Sequence, residues 1–212
     1  VVCTLIRALN IIWNMPPLHL RLLHCFPLLL LFGGMASAQS LLFNIVKGGD
    51  VIGTIRAEKD VKGEGIFYSM ISNSEFSIVW SNTVQSTTET EYRNGLMHRC
   101  GAHMRVNKSM RDSSNMVRIG DKAQCFIHPD KQFIHTGDVA WTTARMYYEE
   151  PVGQSRIFVE SEMSFCRFEA IGANIYRLHL SDGKLNEYTY QRGELREVKV
   201  IRTLFDLYFK RV

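Results

Sequence analysis

Two adjacent acids, Glu149 and Glu150, belong to a residue type that often works as a general acid or base. Successive residues of a helix point about 100° apart, however, so the two carboxyl groups cannot converge on one atom. The pair therefore predicts a solvated helix end with one acid bonded to a neighbouring strand. A binding role for the two acids is the alternative.

Five histidines lie after residue 38, and none has the spacing of a metal ligand. Two ligands on one strand need a separation of two residues, and the metal-binding pair of a helix is separated by four. No pair of these histidines meets either condition, so we predict surface or half-buried polar side chains, no metal site and no cofactor. The five are His98, His103, His128, His135 and His179.

Cys100, Cys125 and Cys166 each share one face of an alternating segment with apolar residues. This pattern predicts small buried hydrophobic residues rather than reactive thiols. A Cys100–Cys125 disulfide is the alternative, but we expect a strand over 114–119 to lie between the two. Two strand spacings amount to about 9.5 Å, which exceeds the reach of a disulfide.

The sequence contains no Gly-x-Ser-x-Gly, no Cys-x-x-Cys and no phosphate-binding glycine loop. We therefore predict that the protein is not an enzyme and has no catalytic residues. A hydrolase whose site is dispersed over several strands is the alternative that the residue types leave open.

Residues 15–40, MPPLHLRLLHCFPLLLLFGGMASAQS, have the pattern of a secretory signal peptide. An apolar core from Phe26 to Phe32 is followed by the small residues Ala36-Ser37-Ala38, and it is shorter than the roughly 20 residues of a membrane helix. We predict a leader and signal peptide over 1–38, cleavage after Ala38, a periplasmic or extracellular protein, and no stable membrane span after cleavage. Residues 1–14 are interpreted as over-extension of the reading frame, with a longer leader as the alternative.

The remaining residues, 39–212, have the length of one domain, and we predict a single exported β domain. Removal of the leader takes Arg7 and Arg21 from the 25 basic residues and none of the 21 acidic residues, so the formal net charge falls from +4 to +2. The basic residues are scattered rather than clustered. Charge and export together argue against a nucleic-acid partner.

Turn signals divide this domain into short segments that alternate between apolar and polar residues. Paired turn residues of this kind require positive φ, as in tight hairpins, and hairpins join antiparallel neighbours. We predict a mainly β fold, an antiparallel meander that forms a strongly curved or barrel-like sheet, with the strand order over 108–136 left open. The clearest turn signals are Gly48-Gly49, Asn94-Gly95, Asp182-Gly183 and Arg192-Gly193.

The segment DVAWTTARMYYEEP, 138–151, interrupts this pattern. Asp138 can cap a helix, no glycine or proline follows until Pro151, and the pattern predicts one inserted helix near 138–150. We expect the helix to lie across the mouth or open face of the sheet. Its residues Trp141, Met146 and Tyr147 are the candidate binding residues.

The stretch TVQSTTETEY, 83–92, has no strongly apolar face. Threonine and charged residues suit the edge of a sheet, so an edge strand is the first interpretation. A strand that lines a polar rim is the alternative.

Four stretches together resemble a family of small exported bacterial proteins described as a domain of unknown function. They are FNIVKGGDVIGTIRAEKDVKGEG at 43–65, YRNGL at 92–96, MYYEEP at 146–151 and GKLNEYTYQRGELREVKV at 183–200. The resemblance implies an antiparallel barrel-like architecture and a location in the cell envelope. It implies no activity and no site residues.

From these patterns we predict an exported, non-catalytic protein that binds a lipid or another hydrophobic small molecule, because barrels of this size can enclose one ligand. The alternative is an envelope protein-protein interaction module with a solid core. The volume and lining of the interior distinguish the two.

Overall fold

The computed structural model describes residues 38–77 and 81–212. The predicted leader up to Ser37, and with it the over-extension expected over 1–14, lies outside the described residues. Within them, no helix has the length and apolar character needed to cross a membrane.

The described residues form fourteen strands in one sheet, and every neighbouring pair is antiparallel. The strands are β1 (Ala38–Lys47), β2 (Asp50–Lys62), β3 (Gly65–Ser77), β4 (Ser81–Arg93), β5 (Leu96–Val106), β6 (Ser109–Ile119), β7 (Lys122–Ile127), β8 (Lys131–Thr136), β9 (Arg156–Val159), β10 (Ser164–Gly172), β11 (Ile175–His179), β12 (Leu185–Gln191), β13 (Glu194–Ile201) and β14 (Leu207–Arg211). Their order in the sheet is β8-β7-β6-β5-β4-β3-β2-β1-β14-β13-β12-β11-β10-β9. The predicted antiparallel meander is therefore confirmed, with β1 and β14 joining its two halves.

Hairpin turns join most consecutive strands, as the paired turn residues predict. Asn94 and Gly95 between β4 and β5 have φ of 51° and 76°. Positive φ at both central residues is the requirement of a tight turn whose twist matches that of the flanking strands.

The sheet is rolled but not closed. Ser114 of β6 donates a hydrogen bond of 2.8 Å to the carbonyl of Glu160, which follows β9. In a flat sheet β6 and β9 would stand eleven strand spacings apart, or about 53 Å, so the two ends must curl round to meet. The edge strands β8 and β9 do not pair with each other, and the barrel-like closure that we predicted is wrong in this respect.

The predicted helix over 138–150 is also wrong. Among the described residues, this segment has only a 3-10 turn at Arg145–Tyr147. Trp141 and Thr143 instead pair with β9: Phe158 donates to the carbonyl of Trp141 at 3.0 Å, and Thr143 donates to the carbonyl of Phe158 at 3.2 Å. Because this pairing holds the segment extended and covers the free edge of β9, a regular helix cannot form there. We call residues 138–151 the strap.

Two groups of buried side chains fill the roll. The larger group comes from β1, β2 and β9 to β13 and includes Phe43 and Leu178, each 0% exposed. The smaller group comes mainly from β3 to β7, with Val139 and Ala144 from the strap, and includes Tyr92 and Met97. Phe158 of β9 belongs to the smaller group although its neighbours in sequence belong to the larger, so β9 is buried on both faces.

Candidate functional site

A buried carboxylate holds the two ends of the rolled sheet together. Glu160 is 1% exposed and lies directly after β9. Its carboxylate accepts hydrogen bonds from the backbone N–H groups of Thr143 at 3.2 Å and Ala144 at 3.0 Å, and from the hydroxyls of Thr143 and Thr90. With the bond from Ser114 to its carbonyl, Glu160 connects the strap, β4 and β6. We call this group of contacts the latch.

Tyrosine hydroxyls from four strands fix the strap against the inner face, which is the face whose side chains form the core. They donate to a side chain or a carbonyl of the strap, so that the polar groups of this crossing segment are satisfied inside the roll. The bonds are Tyr68 to Glu149 (3.1 Å), Tyr92 to Thr142 (3.0 Å), Tyr176 to Glu150 (2.8 Å) and Tyr190 to the carbonyl of Met146 (2.7 Å).

The two adjacent acids diverge, although they do not end a helix. Glu149 contacts Arg145 at 2.6 Å and Lys59 at 3.4 Å, whereas Glu150 accepts from Tyr176 on the other half of the sheet. Burial raises the pKa of Glu149, but the hydrogen bonds from Arg145 and the charges of Arg145 and Lys59 outweigh it, and the pKa lies below its ordinary value. Each acid therefore ties the strap to a different strand.

The predicted binding residues Trp141, Met146 and Tyr147 all lie in the strap. Met146 is 0% exposed and Tyr147 is 7% exposed, and the Tyr147 ring packs edge-on against Phe43 at 5.2 Å. Trp141 is half-buried, with the Arg145 guanidinium 4.3 Å from the centre of its ring. The structure thus brings Met146 and Tyr147 into the core and leaves Trp141 at its margin, and a ligand contact of any of the three stays a prediction.

A polar cleft of about 500 Å³ lies beside the latch. One wall is the inner face of β4, β5 and β6, and the other is made by the turns after β9 and β11 and by the residue after β13. The first wall includes Ser86, Thr88, Ala102, Met104, Asp112 and Ser114; the second includes Ser161, Glu162, Leu180, Ser181, Asp182, Lys184 and Arg202. The cleft therefore forms only because the sheet rolls.

The first wall is ordered by strand register. Ser114 is 1% exposed and pairs with Ala102, while the next row towards the mouth contains Met104, 38% exposed, and its partner Asp112. The deeper row ends on β4 at Thr88. On this wall, the side chains become more exposed from the latch to the mouth of the cleft, and on β6 the charged Asp112 follows the buried Ser114.

The second wall carries charges that are already partly satisfied. Asp182 and Lys184 form an ion pair at 2.5 Å, and the hydrogen bond from Lys184 lowers the pKa of Asp182. Glu162 accepts from the backbone N–H of Ser181 at 3.2 Å and from the thiol of Cys166 at 3.1 Å. Burial, together with this hydrogen bond and the negative charge of Glu162, raises the pKa of Cys166 to about 12. A raised pKa disfavours the thiolate, which is the nucleophilic form of a cysteine.

Arg202 closes the inner end of the second wall. Its terminal nitrogen Nη1 donates to the carbonyls of Ile201 at 2.7 Å and Leu185 at 3.3 Å, and to the side chain of Asn186 at 3.3 Å. Burial lowers the pKa of the guanidinium, although nearby Asp182 opposes this shift. The side chain mainly holds the end of β13 against β12.

Two further hollows have a single wall. One of about 420 Å³ lies at the tips of β2 to β5, and one of about 400 Å³ lies beside Phe67 and Glu91 on β3 to β6. Glu91 in the second hollow is bound by Arg93 at 2.7 Å and by Arg99 at 2.5 Å, so its charge is compensated. Because both hollows are lined by adjacent strands, neither has a second wall opposite the first, as the cleft has.

The expected strand between the first two cysteines is confirmed. Met116 of β6 pairs with Cys100 on one side and with Cys125 on the other. All three cysteines of the described part of the chain are buried and free. No group of histidines, cysteines and acids in the described residues could hold a metal ion.

Sequence reasoning missed the latch and the cleft. Glu160 directly follows the buried run Ile157–Val159, and an acid at the end of such a run is the signal that could have identified it. The strand over 83–92 was expected at an edge, yet β4 lies between β3 and β5, so that expectation is wrong. The polar-rim alternative agrees with the structure, since Ser86 and Thr88 line the cleft.

The fold defines a class of protein, the mainly β proteins built on one open, rolled antiparallel meander. The family described as Domain of unknown function (DUF6134) matches residues 43–212, and the chain belongs to that family. This confirms the resemblance to a domain of unknown function seen in the sequence motifs.

Among solved structures, the chain is similar to a beta-barrel-like protein of domain of unknown function DUF1849 from Brucella abortus. The two are 11% identical, with a TM-score of 0.51, and the similarity covers 84% of this chain and 96% of the other. At this identity the likeness concerns the fold alone. No curated protein matches the chain.

Proposed function

We propose that the protein is an exported, non-catalytic binding protein that holds a small polar ligand in the cleft. The volume and the two-walled form of the cleft support the proposal, because ligand pockets commonly enclose about 300–1,000 Å³ between convergent groups. Elements distant in the sheet supply both walls, so the fold itself assembles the site.

A polar ligand replaces the hydrophobic ligand that the sequence pattern favoured. The strap occupies the place where an enclosed lipid would lie, and Met146 and Tyr147 are buried there. A lipid in the cleft would instead remove Asp112 and Asp182 from water without replacing their hydrogen bonds, which is costly for charged groups.

Two features of the cleft support binding rather than catalysis. The thiol of Cys166 has a pKa raised to about 12, which leaves almost no thiolate at neutral pH. The carboxylate of Glu162 accepts bonds from Cys166 and Ser181, so it is already engaged by the wall itself.

Export remains part of the proposal. The pattern of a secretory signal peptide over residues 15–40 supports this part of the proposal. Sequencing the amino terminus of the secreted protein is expected to start at Gln39. A mature product that retains Leu28–Leu31 would contradict the leader prediction.

An interaction module with a packed interior is the second candidate, favoured by the filling of the roll and by one free edge. The strap covers β9, whereas among the described strands only β7 pairs with β8. An extended segment of an envelope protein could add to such an edge by backbone hydrogen bonds. Under this candidate, the cleft plays no part in binding.

Blocking the cleft distinguishes the candidates. Ala102 lies at the centre of the first wall, and Ala102→Phe fills the cleft; Ala170→Phe at an exposed position of β10 is the control. The melting temperatures of the parent, of Ala102→Phe and of the control are each measured by thermal unfolding with a panel of sugars, amino acids and oleate. We expect a polar compound to raise the melting temperature of both and to lose this effect in Ala102→Phe. Stabilisation by oleate alone, unaffected by Ala102→Phe, would contradict the proposal.

A further inference from the structure

The first wall of the cleft has an apolar strip between polar margins. Ala102 and Met104 succeed each other on the inner face of β5. Ser86 and Thr88 flank this strip on β4, and Asp112 and Ser114 flank it on β6 at the paired positions. Leu180 adds an apolar group from the opposite wall. A ligand there meets carbon in the middle and hydroxyl or carboxylate groups on both sides.

The charges of the cleft do not favour an ion of one sign. An anion would meet Asp112, Glu162 and Asp182, whereas a cation would meet Lys184 and Arg202. Lys184 is paired with Asp182, and Arg202 is engaged by carbonyl groups. No described side chain bonds the half-buried carboxylate of Asp112, which leaves it as an acceptor facing the cleft.

We infer that the cleft binds a neutral saccharide, an inference that rests on the proposed function and names its ligand class. Sugar hydroxyls donate to Asp112 and exchange hydrogen bonds with Ser86 and Thr88, since a serine or threonine hydroxyl both donates and accepts. The C–H face of the sugar ring lies on the strip of Ala102 and Met104. A molecule with hydroxyls at its rim and carbon at its faces satisfies both kinds of group and gives the carboxylate of Asp112 a hydrogen bond in place of water.

A glycan array tests the ligand class directly. It carries neutral oligosaccharides of hexoses, pentoses and N-acetylhexosamines beside uronate-containing and sulfated glycans, and it is probed with the labelled protein. We expect binding to neutral oligosaccharides and weaker binding to the anionic ones. Isothermal titration with the best neutral glycan then gives the dissociation constant of the parent and of the variants.

Asp112→Ala is the decisive variant, and Asp130→Ala in the exposed turn between β7 and β8 is its control. Removing Asp112 is expected to weaken neutral-glycan binding by about tenfold or more, the effect of losing a hydrogen bond to a charged group. Asp130→Ala is expected to bind like the parent. Melting temperatures show that both variants fold, and Ala102→Phe should abolish binding independently.

The possible results distinguish an error in the ligand class from an error in the location of the binding site. If amino acids or anionic glycans bind and Ala102→Phe abolishes their binding, the cleft is the site and the saccharide inference is overturned. If neutral glycans bind equally well to the parent, Asp112→Ala and Ala102→Phe, the inference is overturned as well, because they bind elsewhere. If no polar compound responds to Ala102→Phe, the proposed function fails too.

Discussion

The strap and the cleft lie at opposite ends of the same strands. The inner side chains are buried at the strap end and line an open space at the cleft end. At the strap end, the inner face of β4 and β5 presents Tyr92 and Met97, both buried, and the strap crosses above them. At the cleft end, the same strands present Ser86 and Met104, and no described residue fills the space between the walls. Along β4 the inner side chains change from apolar to polar, and along β5 they change from buried to partly exposed.

The change occurs at the latch. Thr90 pairs with Cys100, and Cys100 pairs with Met116, which makes a buried row directly beneath the carboxylate of Glu160. The next row already lines the cleft. On β4 and β6, polar inner residues thus begin where an open space remains, beyond the buried row beneath Glu160.

The latch should give the largest effect on stability. Glu160→Ala leaves the N–H group of Ala144 and the hydroxyls of Thr90 and Thr143 without their acceptor, whereas the N–H group of Thr143 keeps the carbonyl of Phe158. We expect the free energy of unfolding to fall by about 3–5 kcal/mol, because each unsatisfied buried donor costs roughly 1–3 kcal/mol. Urea titration followed by circular dichroism measures the change.

Glu162→Ala, two residues further on, is the control for the latch. Glu162 is half-buried and lies in the cleft wall, so we expect it to cost far less than Glu160→Ala. An equal loss in the free energy of unfolding for the two variants would show that Glu160 does not hold the strap, β4 and β6 together.

The same substitution at two methionines compares the ends directly. Met146 in the strap is fully buried, so Met146→Ala removes packed volume and is expected to cost about 2–5 kcal/mol. Met104 in the cleft is 38% exposed, and Met104→Ala is expected to change stability by about 0.5 kcal/mol at most. Chemical denaturation of both variants measures the difference. Similar losses would mean that the cleft is packed like a core and leaves no room for a ligand.

Local sequence patterns were sufficient to predict the antiparallel meander, because hairpin turns and the alternation of apolar and polar residues are properties of neighbouring residues. The register of Cys100, Met116 and Cys125 followed from the same reasoning. Closure was mispredicted because it depends on what the last strand pairs with. The edge of β9 pairs with Trp141–Thr143 instead of β8, which no local pattern indicates.

The strap and the cleft also depend on contacts between residues far apart in the sequence, which local patterns do not indicate. The helix signals at Asp138 and Pro151 are real local preferences, but pairing with β9 and acceptance by Glu160 override them. The two walls of the cleft combine residues more than seventy positions apart, such as Asp112 on the first wall and Arg202 on the second. Sequence reasoning identified the polar character of 83–92 but could not supply the opposite wall.

The ionised acid of the strap gives a smaller, pH-dependent effect. The pKa of Glu149 lies below its ordinary value of 4.5, so its contribution to stability is present above that value and is lost as the pH falls through the lower folded-state pKa. Glu149→Gln removes this contribution. We expect the parent to be more stable at pH 7 and the difference to shrink below pH 4.5, as measured by urea titration across pH 3–7. Glu64→Gln in the exposed β2–β3 turn should match the parent throughout, and a constant difference between the parent and Glu149→Gln would contradict the assigned ion pairs.

The smallest effect concerns the thiol that borders the cleft. Burial raises the pKa of Cys166, and the hydrogen bond and negative charge of Glu162 raise it further. Glu162→Gln removes the charge, so the pKa should fall and the fraction of thiolate should increase, by about tenfold for each pKa unit. Alkylation by iodoacetamide at pH 9, followed by peptide mass spectrometry, measures each cysteine separately. Cys100 and Cys125 serve as internal controls in the same molecule, because Glu162 does not contribute to the pKa shift of either. A faster reaction at all three cysteines would indicate general loosening of the roll, whereas an unchanged rate at Cys166 would show that Glu162 does not face the thiol and that the second wall of the cleft is wrongly placed.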